Sequence, residues 1–461
     1  ALEGTNMKKI QTDLINGVIW QQILIFFFPV FFGTVFQQLY NTVDAIVVGN
    51  FVGKEALGAV GGSTGTLINL LVGFLVGLTS GATVVIAQFF GNRETERVPI
   101  TVSTSMVMSV VFGLILTIVG YVFAPQLLVF LKVPTDILDY AVTYLRIFSI
   151  GLIPSLIYNT GSGVLRAIGD SKRPLYFLVA ACITNIVLDI VFVAVFNMGV
   201  AGAAIATVAA QIVSCILTLF VLYRTEECYR FDFKHITFDF HILGQIIQFG
   251  LPTGIQAALY SIANLFIQAS VNSYGTDTVA AFTAFGKIDA TFWNASGAFG
   301  TAVLTFSGQN FGAGNIKRVK KGFHESIIMY LIMSLSITGI CMAFGPTLYR
   351  LFTPDEEVIR LGLEIMYFMA PYWSTFVFVE IFSSGIRACG DAFIPMVMTA
   401  VGIGAFRILW ILFYPSHSLL EVLYSYPISW VLTGALFILY YLQGGWLKRS
   451  IKHREKMLGT K

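Results

Sequence analysis

Of the 461 residues, 56% are apolar and only 11% are charged, less than half the roughly 25% charged share of ordinary soluble domains. A net charge of +3 spread over so apolar a chain excludes a soluble multidomain protein and gives no footing for nucleic acid. Most of the surface is expected to face lipid.

Apolar runs sufficient to cross about 30 Å of hydrocarbon recur along the whole length. They predict helices near 20–48, 56–88, 98–124, 138–164, 174–197, 199–223, 243–273, 277–308, 320–345, 358–384, 393–413 and 419–445. The strand alternation of a membrane barrel is missing. The expected fold is therefore an all-α integral membrane protein with twelve transmembrane helices in two six-helix repeats around a central cavity.

Before the first span, Ala1 to Asn6 read as an expression remnant ahead of Met7, and the apolar stretch after Met7 is too long for a cleaved signal peptide. With both termini on one side, most of the 28 Lys and Arg gather there: the tails, Arg93 and Arg97, Arg166, Lys172 and Arg173, Arg224 to Lys234, Lys317 to Lys321, and Arg387. The opposite loops hold Lys54, Lys132, Arg350 and Arg360. This asymmetry predicts a multi-pass protein of the cell membrane with both termini cytoplasmic. The five cysteines are scattered, and the five histidines never fall at metal-ligand spacing, so neither a disulfide framework nor a nitrogen or sulfur metal site is expected.

Sliding the chain against itself by 221 residues pairs Gln88, Gly91 and Arg97 with Gln309, Gly312 and Arg318, and Arg166, Gly169, Asp170 and Pro174 with Arg387, Gly390, Asp391 and Pro395. Pro134 answers Pro354, and Pro29 answers Pro252, after small insertions. Halves with an even number of spans share one orientation, so their pseudo-symmetry axis runs along the membrane normal. The expected organisation is a first lobe over 7–223, a linker over 224–241, a second lobe over 242–446 and a basic tail over 447–461. The repeated Arg and Asp are expected mainly to cap helices at the loops.

Ionisable residues inside spans carry the functional signal, because each costs at least a few kcal/mol there unless it meets a partner or a watery cavity. Asp44 in the first span and Asp189 in the fifth lie at similar depth. Tyr40 precedes Asp44 by four positions and Asn185 precedes Asp189 by four, so each acid has a polar companion on its own face. Thr207 in the returning sixth span reaches comparable depth, and Asn159, beyond the helix-bending Pro154, is placed to approach from the fourth. Two carboxylates with several neutral oxygens suit a proton or a hard monovalent cation, with Na⁺ taken by Asp44, Asn185, Asp189 and Thr207. The plain structural alternative is that these groups only tie helices together. Phe36, Gln37 and Tyr158 are weaker candidates for cavity lining.

In the second half, the corresponding depth carries Arg407, Asn159 aligns with Glu380, and the eighth span adds Lys287 and Asp289. These four are expected to form neutral buried pairs or to touch substrate, with Glu380 and Asp289 the likelier substrate contacts.

The segments Q-Q-L-Y-N-T-V-D-A-I-V-V-G around Asp44, Ala56 to Gly61, G-V-L-R-A-I-G-D before Asp170, N-I-V-L-D at Asp189 and the Gly199 to Gln211 stretch together resemble the multidrug and toxic compound extrusion family. The resemblance covers nearly the whole chain. It implies a twelve-helix antiporter of two lobes, usually a monomer, that exchanges amphipathic, mostly cationic small molecules for inward H⁺ or Na⁺ without an organic cofactor. Family members with a charged first lobe place an Asp at the position of Asp44, an Asn and an Asp at Asn185 and Asp189, and a Thr at Thr207. A family Tyr matches Tyr144, which the span assignment sets near the outer interface. Other branches use acids in the seventh and tenth spans; here the seventh offers Asn264 and Gln268, and Glu380 is the approximate tenth-span match. A flippase for lipid-linked saccharides is the nearest rival, although its anionic cargo would call for a basic cavity. An enzyme would need a His, Ser or Cys constellation at one interface, and the sequence offers none.

Overall fold

A computed structural model describes residues 13–53, 56, 60, 63–130, 133 and 135–458. Met7, Lys54, Lys132, Pro134 and most of the Ala56–Gly61 segment lie outside the described residues.

The protein is an all-helical membrane protein. Its first six spans are Ile19–Phe51, Ser63–Gly91, Arg97–Val122, the pair Leu138–Ile150 and Leu152–Ala167, Lys172–Asp189 continued by Ile190–Val195, and Gly199–Arg224. The second six are Phe240–Asn272, Thr276–Gly312, Ile316–Arg350, Glu356–Ala388, Phe393–Phe413 and Leu419–Gln443. Among the described residues, ten helices are long and apolar enough to cross a membrane, and the pair around Gly151 adds an eleventh. The twelfth, Thr276–Gly312, has 37 residues and so the length to span; Asp277, Lys287 and Asp289 make it more polar than its neighbours.

Three departures from α-geometry set side-chain directions near the buried charges. The fourth span bends by 46° at Gly151, three residues ahead of the expected bend at Pro154. Proline is well tolerated in the first turn of a helix, and Leu152–Ala167 starts there. The fifth span of each half ends or breaks in a π-helical stretch, Ile190–Val195 and Ala400–Ala405, a geometry that is rare and concentrated at functional sites.

The helices form two compact units that do not follow chain order. One contains residues 28–254, the other residues 13–27 together with 255–461. The expected boundaries at 223 and 242 are thus displaced, and the start of the first span belongs with the second unit. The cause of the later displacement is a helix crossing built on glycine. Gly77 and Gly81 of the second span meet Gly250 and Gly254 of the seventh, and a Cβ on Gly77 would stand 2.6 Å from the Gly254 Cα. A Cβ on Gly81 would overlap the Ile246 carbonyl oxygen, and one on Gly250 the Leu78 carbonyl oxygen. Two G-x-x-x-G pairs let the backbones touch, the packing that lipid-embedded helices favour. The linker joins the same unit, where the Thr237 N–H donates to Ser103 Oγ (3.0 Å) and the Asp239 N–H to Thr104 Oγ1 (3.1 Å).

In the second unit, the Asn310 amide donates to the Leu14 carbonyl at 3.0 Å, Arg318 donates to the carbonyls of Leu14 and Gly17, and Phe27 packs on Phe299 with ring centroids 4.5 Å apart. The 447–461 segment is not a separate tail over its described part. Helix Gly445–Leu458 docks on the second unit through buried Trp446, through Arg449 against Asp391 at 3.3 Å, and through Arg454, which donates to the Gly312 carbonyl at 3.0 Å.

The repeated loop motif is a helix stop. Gly169 and Gly390 have φ of 95° and 112°, a conformation that glycine adopts without a Cβ penalty. In each case the glycine N–H returns to the repeated arginine's carbonyl, at 2.9 Å for Arg166 and 3.0 Å for Arg387. Asp170 then accepts from the Lys172 and Arg173 N–H groups at 3.1 Å each, capping the fifth span. Asp391 instead accepts from the Tyr440 hydroxyl and pairs with Arg449.

Candidate functional site

A tight hairpin aligns the fifth and sixth spans of the first unit. The π-type bond from the Phe196 N–H to the Val191 carbonyl (2.9 Å) ends the fifth, and Asn197 and Gly199 turn the chain in the left-handed region with φ of 54° and 61°. Gly202 then admits the Phe192 backbone, whose carbonyl carbon would lie 3.2 Å from a Cβ placed there. This turn packs the sixth span, which carries Thr207, along the fifth, which carries Asp189.

Asp44 enters from the first span. It is 4% exposed and Asp189 is fully buried. The Thr207 hydroxyl donates to Asp44 Oδ2 at 2.9 Å, and Asp189 and Asn185 close in on the same carboxylate. Among the described residues, Asp44 Oδ1, both oxygens of Asp189 and both polar atoms of Asn185 are buried with no hydrogen-bond partner. Two buried carboxylates that share one donor leave their negative charge largely uncompensated, and such groups persist only with a counter-ion or a shared proton. Around them stand Val47, Val48, Leu75, Phe148, Val193 and Ala203 of one apolar cluster, which keeps the local dielectric low.

The other candidates divide. Tyr40 lies near the acids with Gln37 beside it. Tyr144, which span counting set at the interface, is buried beside Thr207; the bend at Gly151 carries it inward. Asn159 does not join the acids, because its amide donates to the Ser155 carbonyl of its own helix at 2.8 Å. Tyr158 is no lining residue either: it is buried, and its hydroxyl donates to the Pro174 carbonyl at 3.3 Å. Phe36 and Gln37 are half-buried on the first span.

Comparison with known proteins repeats the internal symmetry. The MatE family profile matches twice, over residues 29–191 and 252–412, and together the two matches cover well over half of the chain. The chain belongs to the MatE family. Among similar proteins are two from Bacillus subtilis described as probable multidrug resistance proteins. YpnP is 29% identical, over 94% of this chain and 97% of its own, and YoeA is 26% identical, over 94% and 95%. A solved structure of an outward-facing multidrug resistance MATE transporter of the MOP superfamily superposes with a TM-score of 0.85 at 22% identity, covering 98% of this chain and 99% of that one. The twelve-helix MatE fold is thus shared throughout.

Among the described residues, the second unit of this MatE chain shows no direct ion pair between Lys287, Asp289, Glu380 and Arg407, although Asp289 and Arg407 lie within reach of each other's charge. Lys287 is exposed. Asp289 Oδ2 accepts from the Trp293 indole N–H at 2.7 Å, and its Oδ1 is buried without a partner among the described residues. Glu380 Oε1 accepts from Ser384 at 3.2 Å and lies against Gly300, where a Cβ would overlap it. Arg407 is 2% exposed, and among the described residues no ion pair within 4.0 Å involves it, Asp289 or Glu380. The charges were visible in the sequence; their separation by Trp293, Trp430 and Tyr426 was not.

Proposed function

We propose that this chain is a secondary active exporter in which inward H⁺ or Na⁺ drives efflux of amphipathic, mostly cationic small molecules by alternating access. The observation that carries the reading is the pair of buried carboxylates, Asp44 and Asp189, with three oxygens lacking any donor among the described residues. Membership of a transporter family and relatives described as multidrug resistance proteins support the export half of the reading.

A cation arriving at the pair is held by the Asp44 and Asp189 oxygens, the Asn185 carbonyl oxygen and the Thr207 hydroxyl; a proton is shared between the two carboxylates. Either cancels charge that the apolar surroundings penalise. Binding therefore stabilises the packing of the first, fifth and sixth spans around the site. Coupling follows if substrate and cation favour different states, since a ligand shifts an equilibrium only by its differential affinity. On this reading both termini face the cytoplasm and the chain works as a monomer.

The test is uptake of an organic cation into proteoliposomes under imposed pH and Na⁺ gradients, applied separately, for wild type, Asp44→Asn and Asp189→Asn. The variants are expected to lose gradient-driven transport. Wild-type rates in both would refute the assignment.

A further inference from the structure

The first unit buries two acids; the second buries a base, Arg407, that feels the charge of Asp289 but has no direct ion pair within 4.0 Å among the described residues. Arg407 stands two residues after the π-helical stretch Ala400–Ala405, as Asp189 stands just before Ile190–Val195. Its hydrogen-bond and ring partners are neutral. Nε donates to Ser429 Oγ at 3.1 Å, Nη1 donates to Asn264 Oδ1 at 3.2 Å, and the guanidinium lies 4.2 Å above the Tyr426 ring centroid and 5.8 Å from that of Trp430. Among the described residues, no oxygen accepts from Nη2. A guanidinium carries five N–H donors in a planar fork suited to a carboxylate, and here aromatic faces and neutral oxygens fix that fork in place.

A buried cation of this kind costs several kcal/mol if it stays unpaired in lipid. Asp289 and Glu380, the acids on the neighbouring eighth and tenth spans, are turned to Trp293 and Ser384. The covering groups are light. Asn264 is exposed, and the Tyr426 hydroxyl reaches its Oδ1 only at 3.5 Å. Asn264 continues a polar line along the seventh span with Gln256 and Tyr260, at four-residue intervals on one helix face. Displacing the Asn264 carbonyl oxygen opens one edge of the guanidinium to a ligand lying along that line.

We propose that Arg407, with Asn264 and Tyr426, is an anion subsite that takes the carboxylate of an amphipathic zwitterion or organic acid. The proposal rests on the export reading and narrows it: cargo includes molecules that carry a carboxylate as well as an apolar, cationic body. Their carboxylate replaces the Asn264 oxygen on Nη1 and adds Nη2, so the guanidinium gains a direct ion pair only when cargo is bound.

The probes are rhodamine B, which has a free carboxylate beside its cationic xanthene, and rhodamine B ethyl ester, which keeps the cation and lacks the acid. Fluorescence anisotropy with the purified full-length chain in detergent gives the ratio of their affinities. Wild type is expected to prefer rhodamine B by about tenfold, the scale of a charge-assisted hydrogen-bonded pair. Arg407→Gln is expected to bring the ratio to about one, and Arg407→Lys, a point charge without the fork, to an intermediate value. Ratios are internally controlled against partial unfolding. A wild-type ratio near one overturns the subsite whether or not the variants fold, and so does a ratio that survives Arg407→Gln. If wild type binds neither dye, the export reading falls and the subsite with it; if it binds both alike, the subsite alone falls.

Discussion

Replacing Gly77 by alanine places a methyl carbon 2.6 Å from both the Cα and the amide nitrogen of Gly254 and 2.8 Å from the Thr253 carbonyl carbon. Every atom it meets is backbone, so no rotamer change relieves the overlap and the helices must separate. Overpacking of this kind costs about 1–3 kcal/mol. Gly244→Ala, on the seventh span outside the crossing, meets nothing within 4 Å, and a helical Gly→Ala change in open space gains about 0.5–1 kcal/mol. That gain is common to both variants, so they should differ by the overpacking cost of about 1–3 kcal/mol, with Gly77→Ala the less stable. Thermal unfolding of both in the same detergent, followed by tryptophan fluorescence and size-exclusion survival, reads the difference. Equal midpoints, or a more stable Gly77→Ala, would show that the backbones do not touch there and that the seventh span's start is not bound to the first unit.

Thr207→Val removes the donor to Asp44 and should lower gradient-driven transport in proteoliposomes by about tenfold, a hydrogen bond to a charged group. Thr184→Val should change it by less than about twofold, because that hydroxyl serves only its own helix at the Ala180 carbonyl. Tyr440→Phe deletes the hydroxyl between Asp391 and Arg449 and costs about 1–3 kcal/mol of the docking of helix 445–458; faster tryptic cleavage at Lys448 and Lys452 is the readout. Asn310→Ala removes the shorter of the bonds to the Leu14 carbonyl, at 3.0 Å, and leaves it only the longer ones from Arg318; it should speed hydrogen exchange over residues 14–20 without altering exchange in the first unit.

Hydropathy was enough for eleven of the twelve spans, because lipid imposes length and apolarity on each segment separately, while the more polar Thr276–Gly312 stands on its length. The acid pair was legible for a related reason: a carboxylate in hydrocarbon is conspicuous, and helical spacing put Asn185 beside Asp189. Side-chain direction was not legible. Asn159 stood at the right depth, yet its amide bonds the Ser155 carbonyl of its own helix, and the chain bends at Gly151 instead of at Pro154. That same break brings Tyr144 to Thr207. In the second unit, four charges suggested pairing by their sum, but Lys287 points to the exposed surface and Asp289, Glu380 and Arg407 each bond a local neutral or aromatic group. The division into units depended on a crossing whose signal, Gly77 and Gly81 with Gly250 and Gly254, was present in the sequence. A G-x-x-x-G pair announces a close neighbour without saying which helix it is.

The helix Phe240–Asn272 changes allegiance between Gly254 and Ile255, and Ile19–Phe51 does so between Phe27 and Phe28. Anyone grafting halves of this chain onto a relative would cut in the linker near residue 230. That junction would strip 240–254 from the glycines it rests on and give the recipient a foreign surface in their place. Functional hybrids should come from joins at 27/28 and 254/255, where each exchanged piece keeps the contacts it folds against. A spectroscopic label at residue 244 likewise belongs to the first unit's frame, although it lies in the second half of the sequence.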